Sequence, residues 1–223
     1  MSAWKGRITI TKCLIKKEFL LTAHPMTFVF TFFGIMLIIP NYIYYVAFFY
    51  TTLGIFFGFM NGRENRDAYF NAILPVSKKE VVKAKTAFVW IIETASVVFA
   101  VPFAIFSRTI NPNGSNLAGI EANVAFFGLS LIMYSLFNAV FLNEFFKTAY
   151  KVGKAFVFGS ITTAVFVLVA ETADHMPVVG DYLEGKHGQL VQLPLLFVGI
   201  AIFTASFFVV NIQCAKKYEK VDL

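Results

Sequence analysis

Long apolar blocks separated by short polar stretches dominate the chain, and their length is that of a bilayer. The hydrocarbon core takes about 20 apolar residues per helix, within about 17 to 25. Six segments meet that length: 21–39, 42–60, 86–106, 123–142, 153–170 and 190–212. The apolar run between Met26 and Met60 is nearly continuous, yet as one helix it would reach about 50 Å against a core of about 30 Å. Pro40-Asn41 near its middle is a turn signal, so the run reads as a tight hairpin of two spans.

Residues 1–20 carry a different pattern. Trp4, Ile8, Ile15 and Phe19 share a stripe about 60° wide at about 100° per residue, with Lys5, Lys12 and Lys16 beside it. Ile10, Leu14 and Leu21 fall off the stripe. The segment reads either as an amphipathic helix lying at the membrane interface, its lysines reaching for phosphates, or as a basic leader that sets topology. The basic residues elsewhere sort by side. Of the 19 Lys and Arg, five precede the first span, six lie between Arg63 and Lys85, three between Lys147 and Lys154, and three in the tail 213–223. Only Arg108 and Lys186 remain for the other side. The positive-inside rule then places both termini in the cytoplasm.

Composition agrees with a lipid solvent. Residues are 58% hydrophobic and 14% charged, with 28 Phe, where a soluble domain carries about a quarter charged. The lysines from Lys5 to Lys17 run too far in for a cleavable signal, and no A-x-A-like site follows the first apolar stretch. Cys13 and Cys214 stand near opposite ends, in no metal-ligand spacing. The loop residues Asn111 to Asn116 form a turn cluster. Within it Asn113-Gly114-Ser115 matches a glycosylation acceptor but reads as a turn. Asp174, His175, Asp181 and Glu184 read as a solvated acidic loop, with no known metal-ligand spacing.

The chemistry the chain lacks narrows its function. A phosphate-cradling loop needs Gly-x-x-x-x-Gly-Lys-Ser/Thr, but Lys85-Thr86 and Lys147-Thr148 follow Ala84 and Phe146. Neither H-E-x-x-H nor G-x-S-x-G occurs. No enzyme activity, metal or cofactor is expected of this chain, and any energy for transport must come from a partner or an ion gradient. The informative stretch is the loop 62–85. Asn61-Gly62 is a helix stop, a short charged and aromatic segment follows, and Leu74-Pro75 breaks it. Ser77-Lys78-Lys79-Glu80 is a capping box with Val76 and Val81 at the staple positions. A small transverse helix presenting Arg66, Asp67, Tyr69 and Phe70, ahead of a capped third helix, is shaped to dock on something cytosolic.

These features, with Leu-Pro-Val-Ser-Lys-Lys-Glu-Val-Val-Lys-Ala-Lys at 74–85, resemble the ABC-2 family of permeases, above all the small permeases of the phenol-soluble-modulin exporter type. The topology covers almost the whole chain; the specific part is 64–85. The resemblance implies an all-α membrane protein of the bacterial plasma membrane, working as one of two permeases with two cytosolic ATPase subunits that bind ATP and Mg. The second permease is a like or paralogous copy, and no nucleic acid is involved. It further implies that Glu64, Asn65, Arg66, Asp67, Tyr69 and Phe70 couple to the ATPase, and that the cargo is amphipathic, a peptide or lipid-like molecule.

Inside the spans Glu93 stands about 12 Å past Lys85 at helical rise. An ionisable group at that depth usually faces a bundle interior or a water-filled cavity. It reads as an acid drawing a cationic substrate, as an internal hydrogen-bonding partner, or as the proton carrier of an ion-coupled transporter. A membrane component that docks a cytosolic regulator without transporting anything is a further reading. Asn41, Tyr44, Tyr45, Thr51 and Thr52 share one face of the second span, and Ser130, Tyr134 and Asn138 recur every four residues in the fourth. Tyr44, Thr51, Tyr134 and Asn138 are, with Glu93, the candidate pathway residues, although such stripes also serve helix–helix hydrogen bonding. Gly54, Gly58 and Gly62 form a ridge for close helix approach.

Overall fold

Each apolar block of the sequence folds into helix. The computed structural model describes residues 2–110, 116, 118–184 and 188–221. In chain order the elements are α1 (Ser2–Lys17), a π-helical turn (Glu18–Thr22), and α2 (Pro25–Thr31), which continues as a 3₁₀ segment (Phe32–Ile38). Then come α3 (Tyr45–Glu64), α4 (Asp67–Ile73), α5 (Lys78–Ile110) and α6 (Val124–Phe145). After α7 (Val152–Asp174) and α8 (Pro177–Leu183), a 3₁₀ turn (Gln189–Gln192) leads into α9 (Leu193–Tyr218). The turn cluster and the Asn113-Gly114-Ser115 acceptor lie outside the described residues, apart from Asn116.

Among the described residues four helices, α5, α6, α7 and α9, are long and apolar enough to cross a membrane, and the bent N-terminal pair makes five if it counts as one span. α3, with 20 residues, carries Tyr45, Tyr50, Thr51, Thr52 and a polar last turn, and falls short of the same standard. Among the described residues, four or five helices thus qualify as candidate spans by length and apolar composition, where six are expected.

The block at 21–39 departs most from expectation, since it is not one straight helix. Ala23 turns extended and His24 stays so, before Pro25 opens the next helix. A proline suits a first helical position because its missing N–H has no intrahelical partner there, and it pushes the preceding residue out of helical geometry. The His24 ring nitrogen accepts from the Met26 N–H at 3.1 Å, and the two axes meet at 100°. Beyond Thr31 the winding tightens. Seven α residues and seven 3₁₀ residues together reach about 24 Å, so the short segment covers most of a core of about 30 Å. The turn expected at Pro40-Asn41 is present, with Asn41 left-handed at φ 53°.

Two glycine contacts set the packing. The ridge of α3 lies against the broken helix: the Thr27 hydroxyl donates to the Gly54 carbonyl at 2.6 Å, and a Cβ on Gly62 would stand 2.7 Å from the Thr22 methyl. α6 and α9 meet glycine to glycine, where a Cβ on Gly128 would stand 2.7 Å from the Leu195 carbonyl and one on Gly199 would overlap Gly128. α6 is the central helix, 61% of its most apolar stretch being buried, against 22% for α7 and 17% for α9. Phe126, Phe137 and Phe141 on α6 are fully buried, while Leu168 and Val169 on α7 and Phe197 and Phe208 on α9 are exposed. Exposed apolar faces on outer helices are what a bilayer requires.

Candidate functional site

At one end of the bundle the π-helical turn, α4 and α5 share a buried charge cluster. The π-turn carries Glu18 inward. Its carboxylate meets Lys17 Nζ at 2.8 Å and Lys85 Nζ at 2.8 Å. Asp67, in the first turn of α4, meets Lys17 at 2.5 Å and Lys85 at 3.0 Å. Asn71, one turn on, accepts from Lys17 at 2.9 Å and donates to Asp67 at 3.1 Å. Two cations and two anions alternate, so the cluster is neutral and its polar atoms are paired. Burial alone would raise the Asp67 carboxyl, but Lys85 and then Lys17 outweigh it and hold it at about 2, against an ordinary 3.8. The Lys85 ammonium also lies 5.1 Å from the centre of the Phe59 ring.

The cluster fixes the orientation of α4. Its inner face is Asp67 and Asn71, and its outer face presents Tyr69, Phe70 and Ile73, exposed by 67%, 43% and 67%. Of the expected coupling residues, Glu64, Arg66, Tyr69 and Phe70 face outward. Asp67 does not: it belongs to the buried cluster, which corrects the expectation that α4 displays it. Asn65 is exposed but engaged, its amide donating to the Leu21 carbonyl at 3.3 Å, while Asn61 donates to that of Thr22 at 3.1 Å. Together they satisfy carbonyls left open where the π-turn ends. The capping box forms as expected, with the Ser77 N–H donating to the Glu80 carboxylate at 2.9 Å and the Glu80 N–H to the Ser77 hydroxyl at 3.3 Å. In α1, Leu14 is buried and Lys12 and Lys16 are exposed; the Trp4 and Ile8 side chains lie outside the described residues.

Four of the expected pathway residues, Glu93, Thr51, Tyr134 and Asn138, are buried in the bundle interior. Asn138 on α6 donates to Glu93 on α5 at 2.7 Å. The other Glu93 oxygen and the Asn138 carbonyl oxygen have no partner. One turn away, Ser96 and Tyr134 share a hydrogen bond of 2.8 Å, and Thr51 lies 3.5 Å from the Phe30 carbonyl. Glu93, Thr51, Tyr134 and Asn138 line none of the cavities described here, while Tyr44 lines a small one with Arg108 and Glu121. The large open cavity, about 810 Å³, lies elsewhere, between α3 and α7. Apolar side chains such as Phe49, Ile161 and Leu168 line it, with Tyr45, Glu171 and His175 also on its wall.

Sequence reasoning missed Lys17, Glu18, Lys85 and Asn71 in the cluster, and Glu171 at the cavity; Tyr45, on that cavity wall, was placed only on the polar face of the second span. Glu18 could have been noticed as an acid just ahead of an apolar block. One of its partners, Lys17, is the neighbouring residue, but the other, Lys85, lies 67 positions along the chain, and no periodicity announces such a pairing. No group of three His, Cys, Asp or Glu among the described residues could hold a metal ion.

Residues 13–219 match the family described as ABC-2 family transporter protein. Nothing among curated proteins matches the chain, nor does any solved structure.

Proposed function

The chain belongs to the ABC-2 family of transporter proteins and is a permease component of an ABC transporter; from that premise we propose that it exports an amphipathic, peptide-like substrate, driven by ATP hydrolysed on a separate cytosolic subunit. The carrying observation is α4. Its exposed Tyr69, Phe70 and Ile73 leave apolar surface uncovered, and behind them Asp67 ties the helix to Lys85 of α5 and to Lys17 of α1. An aromatic patch on a fixed element suits a partner that must push on the bundle. In this reading two such chains pair, each crosses the cell membrane six times, and both termini face the cytoplasm. The small permeases of modulin exporters supply the analogy for cargo. The α3–α7 cavity supports an amphipathic cargo, because it is apolar along its length with Glu171 and His175 on its wall. Glu93 as a proton carrier is disfavoured, since it is fully buried and lines no described cavity.

The test is binding and turnover. The purified chain alone is expected to hydrolyse no ATP, and to form a stable complex with a co-expressed ABC ATPase subunit. Tyr69→Ala with Phe70→Ala should weaken that complex by about 2 kcal/mol or more, as loss of interfacial aromatic anchors does, with no change in melting temperature. Wild-type affinity in the double variant would place docking elsewhere.

A further inference from the structure

Beneath α4 a half-open pocket of about 230 Å³ has aromatic walls from Phe59, Phe145, Phe146, Tyr150 and Tyr218, and Arg63 and Arg66 also line it. Neither guanidinium has a carboxylate at ion-pair distance among the described residues, the nearby acids Glu18 and Asp67 being taken by Lys17 and Lys85. Arg63 instead lies 5.5 Å from the centre of the Tyr150 ring. The backbone singles out the same place. Three non-glycine residues among those described have positive φ, and two of them, Arg66 and Ala149, both at 54°, line this pocket. Left-handed conformations at such residues are held against a cost and gather at ligand clamps. Arg66 also occupies the N-cap of α4 without making a capping hydrogen bond, a position where Ser, Thr, Asp or Asn is favoured. The Arg66 backbone thus makes the turn into α4, while its side chain makes no capping bond and lines the pocket.

What surrounds the pocket points to a lipid. Tyr150 is exposed at its edge, Lys151 and Lys154 follow, and Lys154 lies 5.7 Å from the centre of the Phe158 ring. From there the exposed face of α7 continues as Phe158, Ile161 and Val165, a track fit for acyl chains. Guanidinium pairs recognise phosphate through parallel hydrogen bonds, and basic pockets between membrane helices bind anionic headgroups. We propose that this pocket binds the phosphate of an anionic phospholipid, held by Arg63 and Arg66, with the acyl chains lying along α7. The proposal does not rest on the identity of the ATPase or of the cargo, and it shares Arg66 with the expected coupling residues and Ile161 with the wall of the α3–α7 cavity.

Native mass spectrometry of the delipidated full chain, titrated in micelles with phosphatidylglycerol or phosphatidylcholine, tests it. Phosphatidylglycerol is expected to bind about 30-fold more tightly, and Arg63→Gln with Arg66→Gln to abolish that preference. The charge-matched pair Lys79→Gln with Lys83→Gln, on exposed α5 positions, should retain it. Should the arginine pair fail to fold, Arg66→Gln alone, at an exposed side chain, is expected to lower the preference about fivefold. Equal binding of both lipids overturns the proposal, as does equal loss in the two double variants, which signals diffuse attraction only. Full displacement by inorganic phosphate or glycerol 3-phosphate assigns the pocket to a free anion and removes the lipid. An arginine variant that keeps phosphatidylglycerol but loses the ATPase subunit makes the pocket a protein contact, and the proposal falls.

Discussion

Replacing Glu18 by Gln would leave Lys17 and Lys85 with one carboxylate between them, inside the protein. Removing one member of a buried ion pair typically costs about 3–5 kcal/mol, mainly because the remaining charge is stranded. Glu18→Gln is therefore expected to lower the melting temperature in detergent markedly, and Glu18→Gln with Lys85→Met to recover part of the loss. The same cluster sets an acid limit. Asp67 is depressed from 3.8 to about 2 on folding, so its contribution is fully present above pH 4 and is lost as pH falls toward 2. An Asp67→Asn variant should show a flatter stability profile in that window; an unchanged slope would mean that Asp67 is not ion-paired. Glu93 is a different kind of residue. Gln at that position keeps the bond to Asn138 and adds a donor for the unpartnered Asn138 oxygen, and interhelical hydrogen bonds in membranes average about 0.6 kcal/mol. Glu93→Gln should thus leave stability and transport nearly unchanged. Glu171→Gln, on the wall of the α3–α7 cavity, should reduce transport of cationic amphiphiles into liposomes with the ATPase present. The reverse ranking would return the pathway to Glu93.

Pairs of helices depend on where glycine allows backbones to touch. At the α6–α9 crossing a side chain on Gly128 would meet the backbone of Leu195 and Leu196, which cannot swing aside as a side chain can. Gly128→Leu is expected to destabilise by about 1–3 kcal/mol or more through overpacking. Gly153→Ala, with nothing within 4 Å of the added carbon, should be neutral in the same thermal assay. The α3 ridge was legible in the sequence because its glycines recur every four residues. Gly128 and Gly199 were not, since each is a single glycine whose partner lies on another helix. The capping box was legible for the opposite reason: Ser77 and Glu80 act within one turn, so spacing alone specifies their bonds. The 100° break at Ala23-His24 had Pro25 as its signal, outweighed by the apolar length of the block around it.

For the molecule as a whole, the sorting of Lys and Arg predicts which end of the bundle faces the cytosol. In a background of Cys13→Ser and Cys214→Ala, Met176→Cys in intact cells should react with an impermeant thiol reagent, and Ser77→Cys should not. Labelling of Ser77→Cys from outside would invert the topology. Hydrophobic length by itself determined that the chain is helical and made for a bilayer, because a lipid solvent forces every backbone polar group into local hydrogen bonds. Local spacing determined the capped start of α5 and the exposed aromatic face of α4. Only the tertiary structure decided that Asp67 turns inward to Lys17 and Lys85, that Glu93 is sealed against Asn138, and that the large cavity lies between α3 and α7. In a chain this apolar, inner and outer faces of a helix look alike in sequence, and which of them meets a neighbour is settled when the helices pack.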